Sequence, residues 1–317
     1  MSEGKNLKVA LLNLEPKIFN SAYMQISQFH KEKNDSVEWY SLEKHDSYEK
    51  IYCSNIFTFT QKPSWLFTDP RVSFGGTGFE ESISKKLPKE IESCNYDWSL
   101  YPECDYSIVW FSRGCIRNCP FCFVREKEGF IHSVKPKNLN PNGNHIKVYD
   151  NNFFANPKWK EAIKQLQMWN QKVDFNQGLD IRLMDQEKID YLLSLKHWQQ
   201  YKFAWDLPKI YLRSKFEWII NHIKPSRILV YVLVGFNSTF SEDLMRVNFL
   251  HNLGLDPFVM IYNNRKDIPI LRHLARWSNR SQLRNTCTFE EYLTSKKYTF
   301  EEFQTQLSLS DFLEVKT

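Results

Sequence analysis

Residues 106–122 read Tyr-Ser-Ile-Val-Trp-Phe-Ser-Arg-Gly-Cys-Ile-Arg-Asn-Cys-Pro-Phe-Cys, an apolar run that leads directly into three cysteines. These are Cys115, Cys119 and Cys122, with the spacing C-x3-C-x2-C. The apolar run predicts a buried strand, and the loop after a strand can point three sulfurs at one small volume. Three thiolates suit a soft metal centre, for which an iron–sulfur cluster is the natural candidate. Because structural zinc sites and ferredoxin-type clusters take four protein ligands, three thiolates would leave one iron open to a cofactor or substrate.

This loop resembles the cluster loop of the radical S-adenosylmethionine (radical SAM) enzymes, whose motif is C-x3-C-x-aromatic-C. The aromatic residue here is Phe121. The resemblance implies a [4Fe–4S] cluster whose open iron chelates the amino and carboxylate groups of S-adenosyl-L-methionine (SAM). It implies reductive cleavage of SAM to methionine and a 5′-deoxyadenosyl radical, which abstracts hydrogen from an unidentified substrate. It also implies a reductant protein, such as a flavodoxin or ferredoxin.

Other interpretations of the three thiols stay open at this point. The loop could be a zinc site completed by Cys104 or His132, or the three cysteines could be unrelated. The class of function would then be a non-enzymatic zinc- or cluster-binding module, for instance a nucleic-acid binder. Within the enzyme class, methylthio transfer is disfavoured, because no other cysteines are grouped to hold a second cluster.

Composition places the chain among globular proteins. It has 317 residues, of which 42% are hydrophobic and 25% charged. The net charge of +5 permits an anionic partner, and nucleic acid remains open, although no long Lys/Arg block occurs. No apolar run approaches the length of a membrane span, and the first residues lack a signal-peptide core. Seven cysteines, an odd number with three clustered, favour the reducing cytoplasm. We therefore expect a cytoplasmic protein without a membrane partner.

Residues 1–104 are expected to form a small doubly wound α/β domain, because short strand patterns alternate with one helical pattern over residues 7–78. The turn 75–78, Gly-Gly-Thr-Gly, is more consistent with a glycine-enabled turn than with a phosphate cradle. The arrangement is similar to the cobalamin-binding domain that precedes the barrel in one radical SAM subgroup. The subgroup's D-x-H-x-x-G motif is absent, and His30, the first histidine, falls on the predicted helix. We interpret the domain as degenerate, having lost its cobalamin, and residues 80–104 as a linker.

Residues 105–265 show six β–α units, among them a strong strand pattern at 227–234 and helical patterns at 186–198 and 242–253. These units predict a parallel sheet or a partial (β/α)6 barrel. The resemblance to the radical SAM barrel covers about residues 106–265. Residues 266–317 are expected to be a helical region, with helical patterns at 271–277, 289–293 and 300–312. One of these patterns carries a basic face, interpreted first as solvated charge and otherwise as an anion site. It consists of Arg272, His273, Arg276 and Arg280.

Polar residues follow five consecutive predicted strands of the barrel, where ligands of β/α barrels gather. They are Asp150, Asn151 and Asn152, then Asn176 and Gln177, Asp206, Asn237 and Asn263. The radical SAM resemblance assigns some of these positions to SAM. It implies that Asp150, Asn151 and Asn152 receive the SAM ammonium, that Gly235 lies against the adenine with Phe121 nearby, and that Asp206 is near the ribose or the substrate.

Overall fold

A computed structural model describes residues 6–79, 86–265 and 267–298. The chain is mixed α/β with parallel sheets, as the sequence predicts, and the described strands do not close into a barrel. Its contacts divide it into two compact units, which we call unit 1 (Met1–Asn151 and Ala155–Lys158) and unit 2 (Asn152–Phe154 and Trp159–Thr317). Unit 1 thus contains the N-terminal sheet together with the first strands of the segment predicted to be a barrel. The predicted domain boundaries at residues 104 and 265 stay predictions.

The N-terminal part of unit 1 is a four-stranded parallel sheet with the order β2-β1-β3-β4. Its elements are β1 (Lys8–Leu12), α1 (Ser21–Glu32), β2 (Ser36–Trp39), β3 (Lys50–Ser54) and β4 (Val72–Gly75). β1 is buried along most of its length, as expected for the centre of a parallel sheet with cover on both faces. The doubly wound expectation agrees with this order, since the chain leaves β1 to one side and returns to pair with it on the other.

The segment interpreted as a linker is packed into unit 1. After α2 (Lys89–Ser93), the aromatic side chains of Tyr96, Trp98 and Tyr101 are buried together with Met24 of α1. The linker prediction is therefore wrong for the described residues of this stretch. Its prolines and polar residues suggested exposure, but burying three large aromatic rings stabilises a packed conformation far more than polar neighbours oppose it.

The rest of unit 1 carries the cysteine loop. Strand β5 (Tyr106–Val109) pairs in parallel with β8 (His145–Val148). Between them lie a short antiparallel hairpin of β6 (Ser112–Arg113) with β7 (His132–Ser133), and the helix α3 (Val124–Glu128). The hairpin could not be predicted from the sequence, because two-residue strands are too short to show a period.

Unit 2 is built on three parallel strands in the order β10-β11-β12. Two isolated parallel bridges lie beside them, one from Val173 of β9 to His197 and one from Leu179 to Phe203 of β10. The strands are β9 (Lys172–Phe175), β10 (Tyr201–Ala204), β11 (Ile228–Val234) and β12 (Asp256–Ile261). The helices are α4 (Trp159–Trp169), α5 (Gln186–Leu193), α6 (Arg213–Ile219), α7 (Phe240–Asn252), α8 (Pro269–Ser278), α9 (Ser281–Thr286) and α10 (Phe289–Ser295).

The helices of unit 2 cover a largely apolar sheet. β11, the longest strand, is the central one, and α7 packs on β11 and β12 while α8 packs on β12. A capping box between Thr239 and Glu242 fixes the start of α7. The helices predicted at 271–277 and 289–293 are present as α8 and α10, and the pattern at 300–312 lies outside the described residues. No helix in the described part of the chain has both the length and the apolar character needed to span a membrane.

Candidate metal and cofactor site

The cysteine loop begins directly after β6. Cys115 is buried, whereas Cys119 and Cys122 are partly exposed. The N–H of Cys122 donates to the carbonyl of Cys119 at 3.0 Å, which curls the end of the loop into a turn. The N–H of Arg117 lies 3.3 Å from Cys115 Sγ, in position to donate to it. The thiolate, rather than the thiol, is the form of cysteine that binds metal.

Gly114 allows the chain to enter this loop. Its φ is +76°, and a Cβ there would lie 2.6 Å from the carbonyl oxygens of Gly129 and Phe130. The neighbouring N–H of Cys115 donates to that Gly129 carbonyl at 3.3 Å. Any side chain at position 114 would therefore push apart the two segments that support the first cysteine.

The residues predicted to follow the β8 strand are engaged within unit 1. Asp150 is buried, and its two oxygens accept the N–H of Phe111 at 2.8 Å and the hydroxyl of Ser112. Burial raises the pKa of the Asp150 carboxyl to about 6, against the lowering effect of these hydrogen bonds. Asn151 donates through Nδ2 to Glu128 at 2.8 Å. Asp150 thus holds the turn between β5 and β6, whereas Asn151 binds the end of α3 through Glu128.

The other four cysteines are engaged elsewhere in the protein. Their thiols contact the oxygens of Asn55, Glu90, Tyr106 and Leu283, and they belong to Cys53, Cys94, Cys104 and Cys287 respectively. Burial raises the pKa of the Cys104 thiol, which disfavours the thiolate that zinc would require. His132 is exposed and its Nδ1 lies 3.0 Å from the carbonyl of Phe130. The structure offers no support for either residue as a fourth zinc ligand.

By residue chemistry alone, the cysteine loop supplies three donors of the kind that an iron–sulfur cluster takes. Cys115, Cys119 and Cys122 are the grouped sulfurs, and soft thiolates suit an iron–sulfur cluster. Within residues 6–79, 86–265 and 267–298, no three His, Cys, Asp or Glu side chains converge in a metal-binding geometry. Phe121, the aromatic residue of the motif, is partly buried.

In unit 2, a polar cluster lies near the ends of β9 and β10. Arg182 binds the carboxylate of Asp180 with two hydrogen bonds of 2.6 and 3.0 Å, and Asn152 Nδ2 approaches the same carboxylate at 3.4 Å. Burial raises the pKa of Asp206 to about 6, while the nearby charges of Arg246 and Arg182 lower it. Of the predicted SAM residues, Asn152 and Asp206 thus share charged neighbours, and sequence reasoning missed Asp180 and Arg182.

A buried arginine ties together the ends of β10 and β11. Arg246 of α7 is fully buried and donates to the carbonyls of Trp205 and Leu233 at 2.6 and 2.7 Å and to Asp243 at 2.5 Å. Asp243 in turn accepts the N–H of Gly235 at 2.9 Å. Nothing in the sequence distinguished Arg246 or Asp243, because charged residues on a helix are normally solvated.

Gly235 has a structural requirement of its own. Its φ is +74°, and a Cβ there would lie 2.6 Å from Cδ1 of Leu271. The absence of a side chain is thus explained by packing against α8, before any ligand is considered. Asn237 and Asn263 also have positive φ values, of 46° and 48°, a conformation that asparagine tolerates. For these two residues the turn accounts for the residue type.

At the carboxyl end of the N-terminal sheet, glycines serve close packing. A Cβ at Gly76 would lie 2.1 Å from the carbonyl oxygen of Asn55, and one at Gly78 would lie 2.7 Å from that of Phe57. This supports the interpretation of residues 75–78 as a glycine-enabled turn. His30 is buried, with its ring nitrogens 2.6 Å from Asp35 and 3.1 Å from the Tyr52 hydroxyl, so both positions on the imidazole are occupied.

The basic face of α8 is partly solvated. Arg272, Arg276 and Arg280 are exposed, as the first interpretation of this face expects. Burial, followed by the charges of Arg272 and Arg276, lowers the pKa of His273.

A comparison with models of known protein families finds no match for this chain, and no curated protein matches it.

Proposed function

We propose that this protein is a radical SAM enzyme. The observation that carries the proposal is the cysteine loop: three thiols spaced C-x3-C-x2-C, with an aromatic residue before the third, between β6 and α3. Cys115, Cys119 and Cys122 would hold a [4Fe–4S] cluster with one open iron. When bound there, the cluster supplies the electron that cleaves SAM to a 5′-deoxyadenosyl radical, which abstracts hydrogen from a substrate whose identity the sequence leaves open.

The chain's own contribution is to hold the thiolates and to accept the ligand's polar groups. The Arg117 amide donates to the sulfur of Cys115 and so helps to hold it in the loop. Asn151 can accept a hydrogen bond from the SAM ammonium through its amide oxygen. Asp150 accepts from Phe111 and Ser112, which fixes the strand end, and its remaining acceptor capacity would serve the SAM ammonium as the resemblance implies.

For the residues of unit 2, we propose the roles that the resemblance to radical SAM enzymes implies. Asn152 and Asp206 would bind polar groups of SAM or the substrate, and Gly235 would approach the adenine. A reductant protein such as a flavodoxin or ferredoxin would deliver the electron. The odd number of cysteines, three of them clustered, favours the reducing cytoplasm as the location of this chemistry.

The test is anaerobic analysis of the purified protein for iron and acid-labile sulfide. We expect about four of each per chain, and loss of most of both when Cys115, Cys119 or Cys122 is replaced by Ala. Cys104→Ala is the matched control and should keep the cluster. Zinc without sulfide would favour the non-enzymatic metal-binding module instead, and full iron retention in all three single variants would end the cluster proposal.

Activity can be assayed without knowledge of the substrate. Reduction with dithionite in the presence of SAM should release 5′-deoxyadenosine from the loaded wild-type protein. Asp206→Asn should lower this release while the iron content stays unchanged, because Asp206 lies outside the cysteine loop. Absence of release from a fully loaded protein would contradict the assigned reaction.

A further inference from the structure

Glu128, the last residue of α3, connects the cysteine loop to the end of β8. Its side chain is only 11% exposed. One oxygen accepts from Arg113 Nη2 at 2.5 Å. The other accepts both the N–H of Gly114 and Nδ2 of Asn151, each at 2.8 Å. A single carboxylate thus holds the amide just before the first cysteine and a residue predicted to contact SAM.

The residues around Glu128 hold Cys115 by its backbone. Arg125 Nη1 donates to the carbonyl of Cys115 at 3.0 Å, and the carbonyl of Gly129 accepts the N–H of Cys115 at 3.3 Å. Both backbone polar groups of the first cysteine therefore bind the segment 125–129. Burying a carboxylate costs several kcal/mol unless its oxygens are hydrogen-bonded, and here three donors surround it.

The charge of Glu128 also decides which way the Asn151 carboxamide faces. An ionised carboxylate can only accept hydrogen bonds, so the group of Asn151 that faces it must be the NH₂ group. The amide oxygen of Asn151 is then left as an acceptor for a ligand. An ammonium group requires an acceptor of this kind, because it can only donate.

We propose that Glu128 is a positioning residue of the SAM site: it fixes the Cys115 end of the loop and orients Asn151 so that its oxygen accepts from the SAM ammonium. This inference rests on the proposed function and adds to it a residue outside the cysteine motif. Glu128 contacts neither the reacting atoms nor the metal ligands' sulfurs, and it acts through Gly114 and Asn151.

The first test uses metal-free protein and needs no SAM. Hydrogen–deuterium exchange of the segment 113–123 should become about tenfold faster in Glu128→Ala, since the Gly114 amide loses its acceptor. Glu128→Gln keeps one oxygen that can accept from Gly114 and Asn151 but turns its NH₂ group toward the donor Arg113, so its exchange rate should lie between those of wild type and Glu128→Ala. Glu126→Ala, an exposed glutamate of the same helix, is the charge-matched control and should leave the rate unchanged. Equal exchange in Glu128→Ala and Glu126→Ala would overturn the proposal.

The second test measures SAM binding to the cluster-loaded protein. Glu128→Ala should raise the Kd for SAM about tenfold. It should also diminish the change that SAM causes in the electron paramagnetic resonance spectrum of the reduced cluster. Glu128→Gln should rescue both properties. If Glu128→Ala does not fold, Asn151→Ala decides: it should weaken SAM binding to a similar degree at unchanged iron content, and an unchanged Kd would refute the proposal. A loaded wild-type protein that binds no SAM refutes the proposed function instead, and this result is distinct from the exchange measurement.

Discussion

Two loops of unit 1 are each held by one glutamate that is largely shielded from solvent, yet they present different side chains. The loop after β3 is held by Glu15, which accepts the N–H groups of Ile56 and Phe57 at 2.8 and 2.9 Å and the hydroxyl of Thr60 at 2.8 Å. The loop after β6 is held by Glu128 through Gly114 and Arg113. A buried carboxylate is an efficient support for an irregular loop, because it accepts from several backbone donors at once.

The difference lies in what each loop leaves at its surface. The first presents aromatic rings, with Phe57 and Phe59 stacked at 5.0 Å, whereas the second presents the thiols of Cys119 and Cys122. The first also lies where the chain order of the sheet reverses, between β1 and β3, the usual ligand crevice of such sheets. There Glu15 is 8% exposed and binds the protein's own loop. Similar supports thus hold an aromatic surface in one loop and, under the proposed function, the metal-binding thiols in the other.

Replacing Glu15 removes the support of the loop after β3 and should have the largest effect on stability. Glu15→Ala leaves three donors without their acceptor, so we expect the free energy of unfolding to fall by about 2–4 kcal/mol. Urea unfolding of metal-free protein measures it, with the exposed Glu43→Ala as control. The iron content after reconstitution should be unchanged, and a loss of iron equal to that of the cysteine variants would show that the two loops are not independent.

The strand end beside the cysteine loop should show a pH-dependent stability. The Asp150 carboxyl has its pKa raised to about 6 by burial, from an ordinary value of 3.8, so the folded state binds more protons between these values. Its contribution to stability is present below pH 3.8 and lost as the pH rises through 6. Relative to Asp150→Asn, the wild type should lose about 2 kcal/mol between pH 4.5 and pH 7. Unfolding curves of both proteins at the two pH values test this, and a constant difference would contradict the assignment.

The smallest expected effect concerns the binding of cobalamin at the loop that Glu15 holds. Because Glu15 occupies the crevice and His30 binds Asp35 and Tyr52, we expect no retention of cobalamin by the N-terminal sheet. Incubation with hydroxocobalamin followed by desalting should leave no corrin absorbance on the protein. A stoichiometric complex would show that the crevice opens and that the domain has kept its cofactor.

Much of the regular structure could be predicted from sequence, since buried strands and amphipathic helices have a local period. The strand predicted at 227–234 is β11, and the helix predicted at 242–253 is α7, which starts two residues earlier at its capping box. The helix predicted at 186–198 is shorter in the structure, because α5 ends at Leu193. Beyond it, Gln199 has a φ of +56°, which is outside the range of a right-handed helix. The misjudged linker and the unforeseen β6–β7 hairpin have in common that long-range packing, not local period, determines them.

The sequence by itself determined which side chains could bind a metal: three cysteines at fixed spacing keep their chemistry in any fold that makes the loop. It also determined the alternation of strands and helices. Only the tertiary structure decided that Glu128 lies beside Gly114 and Asn151. It likewise decided that the Asp150 carboxylate accepts from the backbone N–H of Phe111 and that Arg246 binds two strand ends. The reason is that a hydrogen bond reports distance in space, and residues 23 positions apart, such as Glu128 and Asn151, leave no periodic trace of their contact.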